Sequence, residues 1–137
     1  MVQIETLPVN NDQPNIVNGL LLGTDKFCFI VKAKDSDIIY VIYKHGYYLA
    51  KGIGSGLHFK TNFDQSIFLK NILRYKVQIT IFTVSNIVSG TLKYFDNYNI
   101  NINGILYNKA VIRMFTFDNA DLDSKIFNKS RRLGDSN

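Results

Sequence analysis

Residues 64–115 read DQSIFLKNILRYKVQITIFTVSNIVSGTLKYFDNYNININGILYNKAVIRMF. Asp64-Gln65-Ser66 offers capping side chains for a helix. Phe68, Leu69, Ile72 and Leu73 then fall on one helical face, with Lys70, Asn71 and Arg74 outside. From Val77 the period changes to two. Val77, Ile79, Ile81 and Thr83 point one way, and Gln78, Thr80, Phe82 and Val84 point the other. Ser85-Asn86 is a turn signal, and Ile87 to Tyr94 a second strand whose Gly90 can relieve a sharp bend. Phe95-Asp96-Asn97-Tyr98 opens a third strand, with Ile100 and Ile102 alternating against Asn99 and Asn101. Asn103-Gly104 is a strong hairpin signal. Ile105 to Phe115 is one long apolar run, which must bend or serve as two strands to stay within a small barrel.

A helix followed by five bent antiparallel strands resembles the plan of the Sm-like barrel. The residues resemble those of bacterial Hfq, the ring-forming RNA chaperone, within the Sm-like (LSm) family. The likeness rests on Gln65 and Phe68-Leu69 in the helix and on Leu73-Arg74-Tyr75-Lys76-Val77 leading into the first strand. It continues through Gly90, Phe95-Asp96-Asn97-Tyr98 and Tyr107-Asn108-Lys109-Ala110. One departure stands out: Tyr107-Asn108-Lys109 occupies the place where the family usually has Tyr-Lys-His.

The other half of the chain carries a fainter version of the same pattern. Gly19 to Phe27 lies on Gly90 to Tyr98 without a gap, so that Gly19 meets Gly90, Leu21 meets Leu92, Asp25 meets Asp96 and Phe27 meets Tyr98. Further on, Tyr43-Lys44-His45-Gly46 takes the place of Tyr107-Asn108-Lys109-Ala110 and keeps the Tyr-Lys-His lost from the second half. The expected fold is therefore mainly β: two tandem Sm-like, SH3-type five-stranded bent barrels, the second with an N-terminal α-helix. The expected boundaries are a divergent barrel over 1–51, a Gly-rich linker over 52–62, the Hfq-like domain over 63–117 and a mobile C-terminal tail over 118–137. The alternative is that residues 1–60 form an unrelated β-extension.

Composition narrows the function classes. A hydrophobic content of 46% in 137 residues is enough for a packed core and excludes a wholly disordered chain. A single cysteine, Cys28, excludes an internal disulfide framework and fits a reducing, cytoplasmic compartment. No apolar run approaches the ~20 residues of a membrane span, and residues 1–12 lack the basic region of a secretory signal. The net charge of +5 is uneven, because residues 61–137 hold ten Lys and Arg against six Asp and Glu. Such an excess permits nucleic-acid binding.

No catalytic set is visible. The histidines, His45 and His58, and the lone thiol of Cys28 are too widely spaced for a metal site or a nucleophile–base pair, and no cofactor is implied. The resemblance instead implies single-stranded RNA, held by base stacking on aromatic faces and by amides and cations at base edges and phosphates. It implies Phe27 and Tyr98 as stacking platforms, Lys26 and Asn97 at base edges, and Gln65 as a hydrogen-bonding partner of a base. Tyr43, Lys44 and His45 would serve the pore from the first half, with Lys109 in the matching place in the second and Arg74 and Lys76 on the rim. In Sm-like rings the fourth and fifth strands of neighbours pair. If both halves take part, three chains close a pseudo-six-fold homo-oligomer; if only the second does, six chains close. The expected function is that of an RNA chaperone for U- or A-rich RNA in post-transcriptional regulation. The rival is an Sm-fold structural or protein-interaction module without RNA, which the altered Tyr107-Asn108-Lys109 favours.

Overall fold

Period-two alternation sets most of the chain as strand in the computed structural model, which describes residues 1–11, 13–52 and 65–135, with side chains up to Phe127. The first half gives β1 (Val2–Thr6), β2 (Ile16–Thr24), β3 (Cys28–Ala33), β4 (Ile38–Tyr43) and β5 (Tyr47–Lys51). Helix α1 (Gln65–Tyr75) follows, then β6 (Gln78–Thr83), β7 (Ile87–Phe95), β8 (Asn99–Ile102) and β9 (Ile105–Asn108). A 3-10 turn over Lys109–Val111 breaks the long apolar run, leaving β10 (Ile112–Asp118) and a last helix, α2 (Asn119–Asp135). Residues 53–62 of the expected linker lie outside the described residues.

The ten strands form one antiparallel sheet that does not close on itself, in the order β5-β1-β2-β3-β4-β10-β6-β7-β8-β9. Adding five to each number of the first run, β5-β1-β2-β3-β4, gives the second. The halves meet where β4 pairs with β10, from Ile42 opposite Met114 to Ile38 opposite Asp118. Local irregularities repeat too. The β2–β3 register slips between Leu21 and Gly23, and the β7–β8 register slips between Leu92 and Tyr94, which are the positions matched in sequence. β1 and β6 each end on a buried threonine whose hydroxyl accepts an amide from the start of the next strand or its turn: Asn15 to Thr6 at 3.1 Å, and Asn86 to Thr83 at 2.9 Å.

The seam between the halves is part of the core. β4 turns Val41 and Tyr43 toward one apolar cluster, with Phe115, Phe117, Leu69 and Ile72. It turns Ile42 toward the other, with Ile4, Val31 and Met114. Burying each such side chain contributes roughly 1.5–3 kcal/mol, so the halves cannot part without exposing both clusters. Gly46 lets the β4–β5 turn cross β10, since a Cβ there would stand 2.7 Å from the Arg113 backbone. At the β8–β9 hairpin, Asn103 and Gly104 both take positive φ, 55° and 91°, as a type I′ turn requires.

Helix α1 buries Gln65, Leu69 and Ile72, with Phe68 against the Phe117 ring. Leu73, expected on the same face, is exposed instead. The helix ends in a Schellman turn: Lys76 takes φ 55° and the Val77 amide donates to the Ile72 carbonyl at 3.1 Å. A left-handed conformation costs an L-residue about 1–2 kcal/mol. Lys76→Gly is therefore expected to stabilise the protein by about 1 kcal/mol, read as a raised urea midpoint at unchanged slope.

The stretch expected as a C-terminal tail carries helix α2 over Asn119–Asp135. Asp118 Oδ1 accepts the Ala120 amide at 2.9 Å, which caps α2. Leu122 is buried and Ile126 packs against the core one turn on. Lys125 Nζ donates to the Lys76 carbonyl at 2.9 Å, fixing α2 to the end of α1.

Candidate nucleic-acid interface

Two matched loops build the site. In the first, the Asp25 carboxylate turns back on its own chain. Its Oδ1 accepts the Phe27 amide at 2.7 Å and the Cys28 amide at 2.6 Å. In the second, Asp96 Oδ1 accepts the Tyr98 amide at 2.8 Å and the Asn99 amide at 2.7 Å. Such a turn reverses the backbone within three residues and leaves the aromatic at its tip pointing outward. Phe27 is 57% exposed and Tyr98 73% exposed. Each tip carbonyl then accepts an amide at 2.7 Å from the chain beyond the fourth strand of its half, Lys44 for Phe27 and Lys109 for Tyr98.

Between the loops lies a cleft of about 510 Å³, lined by Phe27, Tyr43, His45, Gln65, Asn97, Tyr98 and Lys109 among others. Seven of the eleven residues singled out in sequence thus come together. The cleft straddles the β4–β10 seam, so its walls come from both halves. Lys26 stands beside it, with Nζ 5.6 Å from the Phe27 ring centroid. Lys44 turns away: its Nζ sits 5.3 Å from the Phe29 centroid, on the opposite face from Tyr43 and His45. Arg74 and Lys76 do not line the cleft. They lie at the far end of α1 from Gln65, about 15 Å along an eleven-residue helix, with the Arg74 guanidinium over the Tyr75 ring.

The cleft floor holds unmet hydrogen-bonding capacity. Tyr43 is 2% exposed and Gln65 8% exposed. Among the described residues, neither the Tyr43 hydroxyl nor Gln65 Oε1 has a partner. A buried polar group left unsatisfied costs about 1–3 kcal/mol, so the floor favours any ligand that can complete it. Burial above all pushes the Tyr43 hydroxyl well above its ordinary pKa, with Cys28 and Asp25 adding to it, so the phenol stays neutral. Burial likewise pushes the Cys28 thiol up, with Asp25 adding to it, which keeps it an inert thiol. His45 stacks on Tyr43, with centroids 5.2 Å apart and planes 8° from parallel. Its Nε2 donates to the Ile112 carbonyl at 2.9 Å, which fixes that nitrogen as the protonated one.

Asp25 and Asp96 organise the two loops, a role that their pairing in sequence does not by itself assign. Asp25 Oδ2 also accepts the Gln65 amide at 3.0 Å, so one carboxylate holds both the first loop and the start of α1. The available signal was the shared spacing of Asp25-Lys26-Phe27-Cys28 and Asp96-Asn97-Tyr98-Asn99.

No protein-family model and no curated protein matches the chain. Among the described residues no group of three His, Cys, Asp or Glu could hold a metal, and no helix is long and apolar enough to cross a membrane. What the site offers is two exposed rings, a neutral phenol, a carboxamide and nearby lysines. That set suits stacking and hydrogen bonding to a planar, polar-edged ligand.

Proposed function

We propose that this chain is a tandem Sm-like protein of the Hfq kind, that three copies close head to tail into a pseudo-six-fold ring, and that the ring binds single-stranded U- or A-rich RNA in the cytoplasm as a chaperone in post-transcriptional regulation. The observation that carries the reading is the pairing of β4 with β10. It joins the fourth strand of one half to the fifth strand of the next, the contact by which Sm-like neighbours pair. The same pair of strand types remains open at the two ends of the sheet, β9 and β5. A contact between unlike surfaces repeats until the rotation closes, and open edges are the places where strands add. Ile105 and Leu106 on β9 and Tyr48 on β5 are exposed, as apolar groups awaiting such a partner would be.

The two projecting rings and the unsatisfied floor between them support RNA as the ligand. Bases would stack on Phe27 and Tyr98, with Gln65 and Tyr43 meeting a base edge and Lys26 and Lys109 favouring the phosphates. The test is fluorescence anisotropy with labelled oligo-U across a salt series. The affinity should fall as salt rises, with a log–log slope of about −0.7 for each phosphate neutralised. Absence of binding at low salt would overturn the RNA reading and leave the protein-interaction module.

A further inference from the structure

The two loops share a turn but not their surroundings, and the difference bears on how many bases a ring would hold. We propose, resting on the ring reading above, that each chain builds one complete base pocket, at the junction inside the chain, and that the junction between chains is not a second one.

The first observation is how each loop aspartate uses its second oxygen. Asp25 Oδ2 accepts the Gln65 amide at 3.0 Å, which brings the start of α1, and with it the Gln65 side chain, to the cleft. Asp96 Oδ2 accepts the Tyr94 hydroxyl at 2.9 Å and the Asn99 side-chain amide at 3.4 Å. Tyr94 stands where Gly23 stands in the first half. A helix amide reaching Asp96 as Gln65 reaches Asp25 would meet an oxygen that the phenol already engages.

The second observation lies at the ends of β4 and β9. β4 delivers Tyr43 into the cleft floor with its hydroxyl unpartnered and His45 stacked on it. The matching end of β9 runs into the 3-10 turn over Lys109–Val111, where Asn108 Oδ1 accepts the Ala110 amide at 2.8 Å. The Asn108 carbonyl oxygen is thus engaged in its own turn, and Tyr107 is only half-buried, whereas Tyr43 is buried.

A third difference concerns how firmly each junction is held. The loop between β1 and β2 reaches across the seam: the Asn10 amide donates to the Thr83 carbonyl at 3.0 Å and the Asn11 amide to the Val84 carbonyl at 2.9 Å. Its counterpart between β6 and β7 is the short Val84-Ser85-Asn86 turn, folded back onto the Thr83 hydroxyl. It has no length to cross to a neighbour.

Native mass spectrometry of the full-length protein titrated with uridine monophosphate, whose single base can fill only one pocket, tests the count. The expected result is a three-chain ring that fills with three nucleotides and then saturates. Gln65→Ala should weaken binding at least tenfold while leaving the ring mass unchanged. Filling to six per ring, or three nucleotides still bound at wild-type affinity by Gln65→Ala, would overturn the single-pocket proposal while leaving the RNA ring intact. A ring that takes up neither the nucleotide nor oligo-U would overturn both.

Discussion

Asp25→Ala is expected to cost about 3 kcal/mol of stability, the largest loss among single changes outside the apolar core. The carboxylate accepts three backbone amides, those of Phe27, Cys28 and Gln65, at 2.6–3.0 Å. A hydrogen bond to a charged acceptor contributes about 1.5–3 kcal/mol. Bonds sharing one carboxylate do not add in full, so the sum is well below three independent terms. The loss should appear as a lowered urea midpoint, together with a loosened start to α1, readable as faster amide exchange over residues 65–69. Asp25→Asn retains one oxygen, which can keep the Phe27 and Cys28 amides but not that of Gln65, and should fall about halfway. Asp96→Ala, which touches no helix, should leave exchange in α1 unchanged. Equal loosening of α1 by both variants would contradict the role given to Asp25.

The second large effect is on binding. Removing both rings, Phe27→Ala with Tyr98→Ala, should lower oligo-U affinity about a hundredfold, since each base stacked on an aromatic ring contributes about 1–3 kcal/mol. Both rings are exposed, so the thermal midpoint should stay close to that of the parent. This split between affinity and stability separates a stacking platform from a packing residue. A double variant that binds oligo-U normally would refute the assignment. So would one that unfolds, since it would show that the rings support the fold.

Much of the second half is legible because its signals are local. The alternation from Val77, the Asn103-Gly104 turn and the overlong apolar run each report on residues within reach of one another along the chain. The break in that run falls at Lys109–Val111, where Asn108 caps a 3-10 turn. What stays hidden depends on distant partners. Asp64, the expected capping residue, lies outside the described residues. Among those described, the carboxylate that meets the first amide of α1 is that of Asp25, forty positions before Gln65, and no local pattern announces it. The motif places Lys44 with Tyr43 and His45, yet neighbours along a strand face opposite ways, and the lysine lies over Phe29. Arg74 and Lys76, expected on the rim, lie at the far end of α1 from Gln65 and so away from the cleft. The C-terminal helix was masked by its charges; Asp118 as cap and Leu122 with Ile126 at a four-residue spacing were the signals to weigh.

The proposed ring depends on the open edges at β5 and β9 pairing between chains, so mass in solution tests it most directly. Light scattering on the purified protein at micromolar concentration should give three times the 15.7 kDa chain mass, in the presence or absence of oligo-U. A lone 15.7 kDa chain under both conditions would contradict the ring and, with it, the shared pore around which Phe27 and Tyr98 are placed.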